Sequence, residues 1–240
     1  ASGTPTITIV VGSTDQTATY TSGDNSTTLV FKYTIQAGET DIDGIIIGAN
    51  VLALNSGTIQ DPTGNNATLT HSAVSANSSY KVDTTAPSVN SFTLSETTLK
   101  AGDEATVTLV FSEAVASFSS SADITVDNGT LATMTSSDKI TWTGTFTPPA
   151  NLEDDSNTLT LSTSYSDTAG NAGPVETTAN YEIDTLAPSV NSFTLSDMTL
   201  KAGDTATVTL VFSEAVASFS SSADVTVANG TLATMSSTDD

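Results

Sequence analysis

The side chains in this sequence that could bind a metal ion or take part in a reaction are mainly the carboxylates of Asp and Glu. The chain has 240 residues, with 27 Asp and Glu against 5 Lys, no Arg, no Cys and one His, for a formal charge of −22. Hard divalent cations such as calcium bind carboxylate, amide and carbonyl oxygens, whereas zinc and copper sites draw on Cys and His. The composition therefore favours calcium over a thiolate or imidazole metal site.

The shortage of positive charge excludes several classes of partner. Five lysines are too few for a basic groove that could bind phosphates, so neither nucleic acid nor an acidic membrane surface is an expected partner. No stretch approaches the ~20 apolar residues that a membrane-spanning helix needs, so we expect no membrane insertion in this segment. Nucleophile-elbow, P-loop, HExxH and EF-hand spacings do not occur either, and an enzyme is not expected.

The sequence repeats itself. The run that starts at Ala86 with APSVNSFTLS returns at Ala187, about 101 residues further on, with roughly nine positions in ten identical. The first 83 residues end in SYKVDTTAPSVNSF, which parallels NYEIDTLAPSVNSF one period later. We therefore divide the chain into a first unit (residues 1–83), the C-terminal part of a module without its N-terminal strands; a complete second unit (residues 84–184); and a third unit (residues 185–240), the N-terminal half of a near-identical module.

The pattern inside the complete unit predicts the elements that must position the carboxylates. Hydrophobic and polar residues alternate in SVNSFTLS, ATVTLVF, DITV, TLATM, ITWTGTF, TLTLSTSY and ANYEI, which predicts about seven strands. The turn formers Gly, Pro, Asn and Asp fill the segments between them, among them TPPANLEDDSN and DTAGNAGP. Seven strands in about 100 residues predict an all-β fold of tandem immunoglobulin-like Greek-key β-sandwiches. Trp142 and Phe146 should lie in the core, and the third unit should be unable to close its own core.

This fold brings separate acidic loops to the same end of a sandwich. The linker residue Asp83, Glu113 in FSEAV, and Asp167 with Asn171 in DTAGN should meet at the N-terminal end of the second unit. Asp184 and Glu214 repeat the pattern in the third unit. The opposite ends carry a second set of acidic residues: Asp41 and Asp43 in the first unit, and Glu153, Asp154 and Asp155 in the second.

Clustered carboxylates repel one another and raise each other's pKa, and a divalent cation removes that cost. The predicted metal ligands are Asp83, Glu113, Asp167, Asn171, Asp184, Glu214, Asp61, Asn65 and Asp154. A simpler interpretation stays open for each. The loops DTAGN at Asp167 and DPTGN at Asp61 are also good Asx turns with Gly at positive φ, the linker aspartates can simply be solvated, and residues 153–155 fit a solvated loop.

The motifs DTTAP, KAGD, FSEAV, TFTPPA and DTAGN, taken together, resemble the bacterial Ig-like repeats of large surface adhesins, such as biofilm-associated proteins and the extender regions of RTX adhesins. The first unit looks like a second variety of the same superfamily. The resemblance implies extracellular repeats at the bacterial cell surface that bind calcium between modules and support cell adhesion or biofilm formation. It implies neighbouring modules of the same chain as partners, and host, surface or biofilm-matrix ligands bound through other domains.

Two functions of different classes follow from the sequence. A non-enzymatic spacer stiffened by calcium is favoured by the near-identity of the repeated units. A module that binds a glycan or a cell surface is the alternative, and an exposed aromatic residue in a loop would favour it. Phe118 and Phe219 are the repeated aromatic candidates, although both fit a core position more simply.

Overall fold

The computed structural model describes residues 3–237, so the predicted outer limits of the first and third units, residues 1 and 240, lie outside the described residues. The first unit contains six strands: β1 (Thr6–Val11), β2 (Thr14–Ser22), β3 (Val30–Lys32), β4 (Thr40–Asp41), β5 (Leu52–Ala53) and β6 (Val82–Asp83). One sheet has the order β3-β2-β1-β5, and β4 pairs separately with β6. Ile9, Val11, Ala18 and Val82 form a small buried core in this unit.

The second unit has ten strands and one helical turn. They are β7 (Val89–Leu94), β8 (Thr98–Lys100), β9 (Ala105–Phe111), α1 (Ser120–Asp123), β10 (Ile124–Val126), β11 (Thr130–Leu131), β12 (Thr141–Thr147), β13 (Glu153–Asn157), β14 (Leu159–Leu161), β15 (Glu176–Thr177) and β16 (Tyr181–Asp184). Three sheets result, with the orders β11-β12-β9-β7, β10-β14-β15 and β13-β16-β8. The predicted all-β, immunoglobulin-like fold is confirmed.

The core of this unit follows from the alternation in the sequence. Along β9 every second side chain is buried, from Ala105 to Phe111, because successive side chains of a strand point to opposite faces of the sheet. Phe111 packs against Tyr165 with ring centroids 5.0 Å apart. Phe146 is fully buried and Trp142 packs against the core partly buried, so the prediction that both are core residues is confirmed.

One predicted loop is a strand. Residues 153–155, expected to lie in a solvated loop, belong to β13, which pairs with β16 and carries an irregularity between Asp154 and Asn157. Asn157 is the one buried side chain of β13, and it donates hydrogen bonds to the carbonyl oxygens of Asp154 and Tyr181. Hydrophobic alternation could not reveal this strand because its inward-facing residue is polar.

The third unit contains β17 (Val190–Leu195), β18 (Val208–Phe212) and α2 (Ser221–Asp224). β17 pairs with β18 in the register that β7 and β9 have in the second unit. Its apolar face is open: Phe193 is 57% exposed, whereas the equivalent Phe92 is 5% exposed. A cavity of about 680 Å³ lies over this face. Within residues 3–237, both helices are single turns of four residues, and neither could span a bilayer.

Candidate metal centre

Three carboxylates meet at the joint between the first and second units. Asp83 is the last residue of β6, Glu113 follows β9, and Asp167 lies in the DTAGN loop before β15. One ligand oxygen of each lies within 4.8 Å of the others. The structure therefore brings together the three acidic residues that the sequence placed at this end of the second unit.

The DTAGN loop is folded tightly around the Asp167 carboxylate. Oδ1 of Asp167 accepts hydrogen bonds from the backbone N–H groups of Ala169 (2.8 Å), Gly170 (2.7 Å) and Asn171 (2.9 Å). Gly170 has a φ of +97°, a conformation that favours glycine. Asp167 itself is 1% exposed and pairs with Val115, which follows Glu113 by two residues. This pairing holds the Asp167 loop beside the Glu113 segment.

Two carboxylates of the triad, Glu113 and Asp167, have pKa values shifted in opposite directions. Burial raises the pKa of Glu113, and the negative charges of Asp83 and Asp167 raise it further. Burial also raises the pKa of Asp167, but the hydrogen bonds from the Asn171 side chain and the loop N–H groups outweigh it, so the net pKa of Asp167 is lowered. The loop hydrogen bonds therefore favour the ionised form of Asp167, whereas burial and the neighbouring negative charges disfavour the ionised form of Glu113.

A divalent cation fits this donor set. All three side chains offer hard oxygen atoms, and both charges that act on Glu113 are negative. Asp83, Glu113 and Asp167 are the side chains that would hold the ion. Because Asp83 belongs to the strand that closes the first unit and the other two belong to the second, a bound ion would join the units.

Asn171, predicted as a ligand, makes contacts of a different kind. Its Nδ2 donates hydrogen bonds to Asp167 Oδ2 (2.8 Å), to the carbonyl oxygen of Asp83 (3.1 Å) and to that of Thr85 (3.2 Å). The side chain therefore connects the DTAGN loop to the backbone of the linker.

The DPTGN loop at Asp61 and Asn65 reproduces the turn without the cluster. Asn65 donates to Asp61 through its Nδ2 and its backbone N–H, both at 2.8 Å, and the side chain of Asn65 leads the hydrogen bonds that lower the pKa of Asp61. Both residues are exposed. Within residues 3–237, neither belongs to a group of three His, Cys, Asp or Glu that could share an ion.

The remaining predicted ligands lie outside the triad. Asp184 pairs with Glu153 and Lys100 in the sheet β13-β16-β8. Glu214 is half-buried at the position equivalent to Glu113. Asp154 accepts hydrogen bonds from Asn128 Nδ2 (3.1 Å) and from the N–H of Ser156 (3.0 Å), so its oxygens serve the packing of β13. A metal-binding role for these residues stays a prediction.

Thr84, the residue after Asp83, was not among the residues predicted from the sequence. Its Oγ1 accepts a hydrogen bond from Gly38 N–H (2.8 Å) and donates one to the carbonyl oxygen of Glu39 (3.0 Å). A signal was present, since Thr follows the linker Asp at both repeats, as Thr84 and Thr185.

Comparison with known proteins places this fold. The family model described as the bacterial Ig-like domain matches residues 83–183 and again residues 184–240, which together make up more than half of the chain. The chain belongs to the bacterial Ig-like domain family. The first match begins at Asp83, the linker residue of the acidic triad.

Other comparisons add little to this family assignment. No curated protein matches the chain. Among solved structures, the Ig-like chain is similar to SGBP-B of the Bacteroides ovatus mixed-linkage glucan utilization locus, in complex with a mixed-linkage heptasaccharide, at 16% identity. The likeness covers 83% of this chain but only 44% of that one, with a TM-score of 0.22. At that score the ligand of SGBP-B is not transferable to the Ig-like units.

Proposed function

We propose that this chain is a non-enzymatic, extracellular spacer of a large bacterial cell-surface adhesin, and that calcium at the joint between units stiffens it. In this role it would hold an adhesive domain away from the cell and support cell adhesion or biofilm formation. The proposal rests on the fact that the triad spans two units: Asp83 comes from the first unit, and Glu113 and Asp167 come from the second.

An ion at this place would act in two ways. It would remove the repulsion among three carboxylates, and it would couple two units that otherwise meet through a short linker. Extracellular calcium modules typically have a dissociation constant of about 10⁻⁴ to 10⁻³ M. An ion concentration about a hundred times that constant would stabilise the folded state by about 2.7 kcal/mol per site.

Three further observations support the proposal. The second and third units repeat one sequence almost unchanged, as expected where each unit contributes length and not a distinct active site. The chain also lacks the spacings of the common catalytic motifs. Membership of the bacterial Ig-like family is in keeping with a place at the cell surface.

The proposal is tested on the full chain with calcium and with a chelator. Trp142 is the single tryptophan and lies in the second unit, so its emission reports the melting of that unit beside the joint. We expect calcium to raise the melting temperature and to give a more extended X-ray scattering profile, and we expect Asp167→Asn to lose both effects. An unchanged melting temperature and scattering profile on calcium addition would contradict the proposal.

Glycan binding is the alternative of a different class. Phe118, one of the two repeated aromatic candidates, is 8% exposed and packs edge-on against Trp142 with centroids 4.9 Å apart. Phe219, the other candidate, is half-buried and packs edge-on against Phe212 with centroids 6.0 Å apart. Because the Phe118 ring is buried in this way, it is not available to stack on a sugar, and this observation favours the spacer. Binding of the calcium-loaded chain to a glycan array would favour the alternative instead.

A further inference from the structure

The linker between the first and second units is held by side chains from both sides. We propose that Thr84 and Asn171 are positioning residues that form a hydrogen-bonded strap across residues 83–85, and that this strap fixes the angle between the units before any cation binds. The purpose of this strap rests on the proposed spacer function. The hydrogen bonds that form it do not require a bound ion.

On the side of the first unit, the strap begins with backbone pairing. Asp83 pairs with Thr40 in the two-stranded sheet of β4 and β6. Thr84 then uses its hydroxyl as both acceptor and donor, toward Gly38 N–H (2.8 Å) and the Glu39 carbonyl oxygen (3.0 Å). The first two linker residues are therefore attached to the first unit.

On the side of the second unit, Asn171 holds the same segment through carbonyl oxygens. Its Nδ2 reaches Asp83 O at 3.1 Å and Thr85 O at 3.2 Å. The Asn171 side chain is itself fixed by Asp167 Oδ2 at 2.8 Å. Thr85 N–H in turn donates to Asp83 Oδ1 at 3.0 Å, which orients the carboxylate of the linker.

The two sets of bonds overlap on the same three residues. A hinge needs a few residues whose φ and ψ can change freely, yet residues 83, 84 and 85 each carry at least one bond to a fixed partner. The strap therefore directs the Asp83 carboxylate toward Glu113 and Asp167. The order of the joint comes from these bonds, and a bound ion would add charge neutralisation.

Internal repetition separates the strap from ordinary turn geometry. Thr185, the equivalent of Thr84 in the next linker, accepts a hydrogen bond from Leu152 N–H (2.9 Å) and donates to the Pro149 carbonyl oxygen (2.7 Å).

The loop at Asp61 has the same Asn-to-Asp bond as the loop at Asp167, but Asn65 makes its other side-chain bond to Thr63 within that loop. Binding the linker is thus a property of Asn171 and not of the loop type.

The experiment measures the distance between the two units in the full chain. The protein has no cysteine, so spin labels at the exposed positions Thr17→Cys and Thr145→Cys report one inter-unit distance. In chelator, we expect a single narrow distance peak for the parent chain. Asn171→Ala and Thr84→Val should lose this peak and give a broad distribution.

Two matched variants serve as controls. Asn65→Ala removes the same intra-loop bonds where no linker is held, and Thr85→Val changes a linker residue that joins the strap only through its backbone. Both should keep the narrow peak. Thr84→Val leaves the DTAGN loop intact, so it stays informative if Asn171→Ala destabilises the second unit, which Trp142 emission would reveal.

The strap is overturned if Thr84→Val and a folded Asn171→Ala chain give the parent distribution in chelator, or if the parent chain is already broad there. The effect of added calcium is read separately. A narrow parent peak that calcium leaves unchanged, with no rise in melting temperature, would count against calcium stiffening while leaving the strap standing.

Discussion

Asn171 donates its side-chain amide to the carbonyl oxygen of Asp83, 3.1 Å away, across the joint between the first and second units. The two residues are 88 positions apart in the chain. Through this contact the loop that buries Asp167 also holds the segment that presents Asp83, so the geometry of the acidic triad and the geometry of the joint depend on the same bond.

Replacing Glu113 by Gln should separate the cost of charge repulsion from the benefit of an ion. Glu113 has a raised pKa because of burial and its two acidic neighbours. In chelator, Glu113→Gln should raise the melting temperature reported by Trp142, because one repelling charge is gone; in calcium the variant should gain less than the parent chain. Glu104→Gln is the control, since Glu104 is exposed before the opposite end of β9. A variant that melts below the parent in chelator would contradict the prediction.

The buried Asp41 should make the first unit sensitive to acid. Asp41 is 3% exposed and accepts hydrogen bonds from the N–H groups of Gly12 (2.8 Å) and Gly44 (2.7 Å). The bond from Gly12 is the largest influence on its pKa, and with the other hydrogen bonds it outweighs burial, so the pKa of Asp41 is lowered. A lowered folded-state pKa contributes stability above the unfolded pKa of about 3.9.

That contribution is lost as the pH falls through the folded-state pKa. Amide exchange at Gly12 and Gly44, followed from about pH 5 downward, should therefore show protection fading in the parent chain. Asp41→Asn should have lower protection throughout and a weaker pH dependence. If the protection of these amides depended on pH equally in the parent chain and in Asp41→Asn, another carboxylate would be responsible for the loss of stability in acid.

Equivalent leucines in the second and third units should differ in their contribution to stability. Leu109 is fully buried in the core, whereas Leu210 lines the open cavity of the third unit. Leu109→Ala should lower the free energy of unfolding by about 2–5 kcal/mol, the usual cost of a cavity in a closed core. Leu210→Ala should cost well under half of that, because its face is already open to solvent. Denaturant unfolding followed by Trp142 emission measures the effect of Leu109→Ala on the second unit. Amide exchange of the residues in β18 measures the effect of Leu210→Ala on the third unit.

Two buried tyrosines of the second unit should respond differently to loss of the hydroxyl. Tyr165 donates to the carbonyl oxygen of Pro174 at 2.9 Å, whereas the buried hydroxyl of Tyr181 has no hydrogen-bond partner among the described residues. Tyr165→Phe should lower the free energy of unfolding by about 1 kcal/mol. Tyr181→Phe should leave it unchanged or raise it, because an unpaired buried polar group is removed. Urea unfolding of both variants checks the contrast, and equal losses would contradict it.

The sequence by itself determined the repeat, the all-β class, the positions of the hydrophobic strands and the turn-forming loops. These are local properties: alternation of side chains decides which face of β9 is buried, and the Asp, Gly and Asn of DTAGN and DPTGN are enough to fold the same turn twice. It also limited the chemistry to oxygen ligands, because composition alone excludes thiolates and leaves one imidazole.

Only the tertiary structure decided which of two similar turns lies beside other acidic residues. Asp167 meets Asp83 and Glu113 because the pairing of Val115 with Asp167 and the exit of β6 converge there, while Asp61 stays exposed and outside any such group. It also showed that the polar segment at Asp154 is a strand and that Thr84 attaches the linker to the first unit. Such contacts join residues tens of positions apart, and they depend on the packing of whole sheets, which no local pattern of residue types encodes.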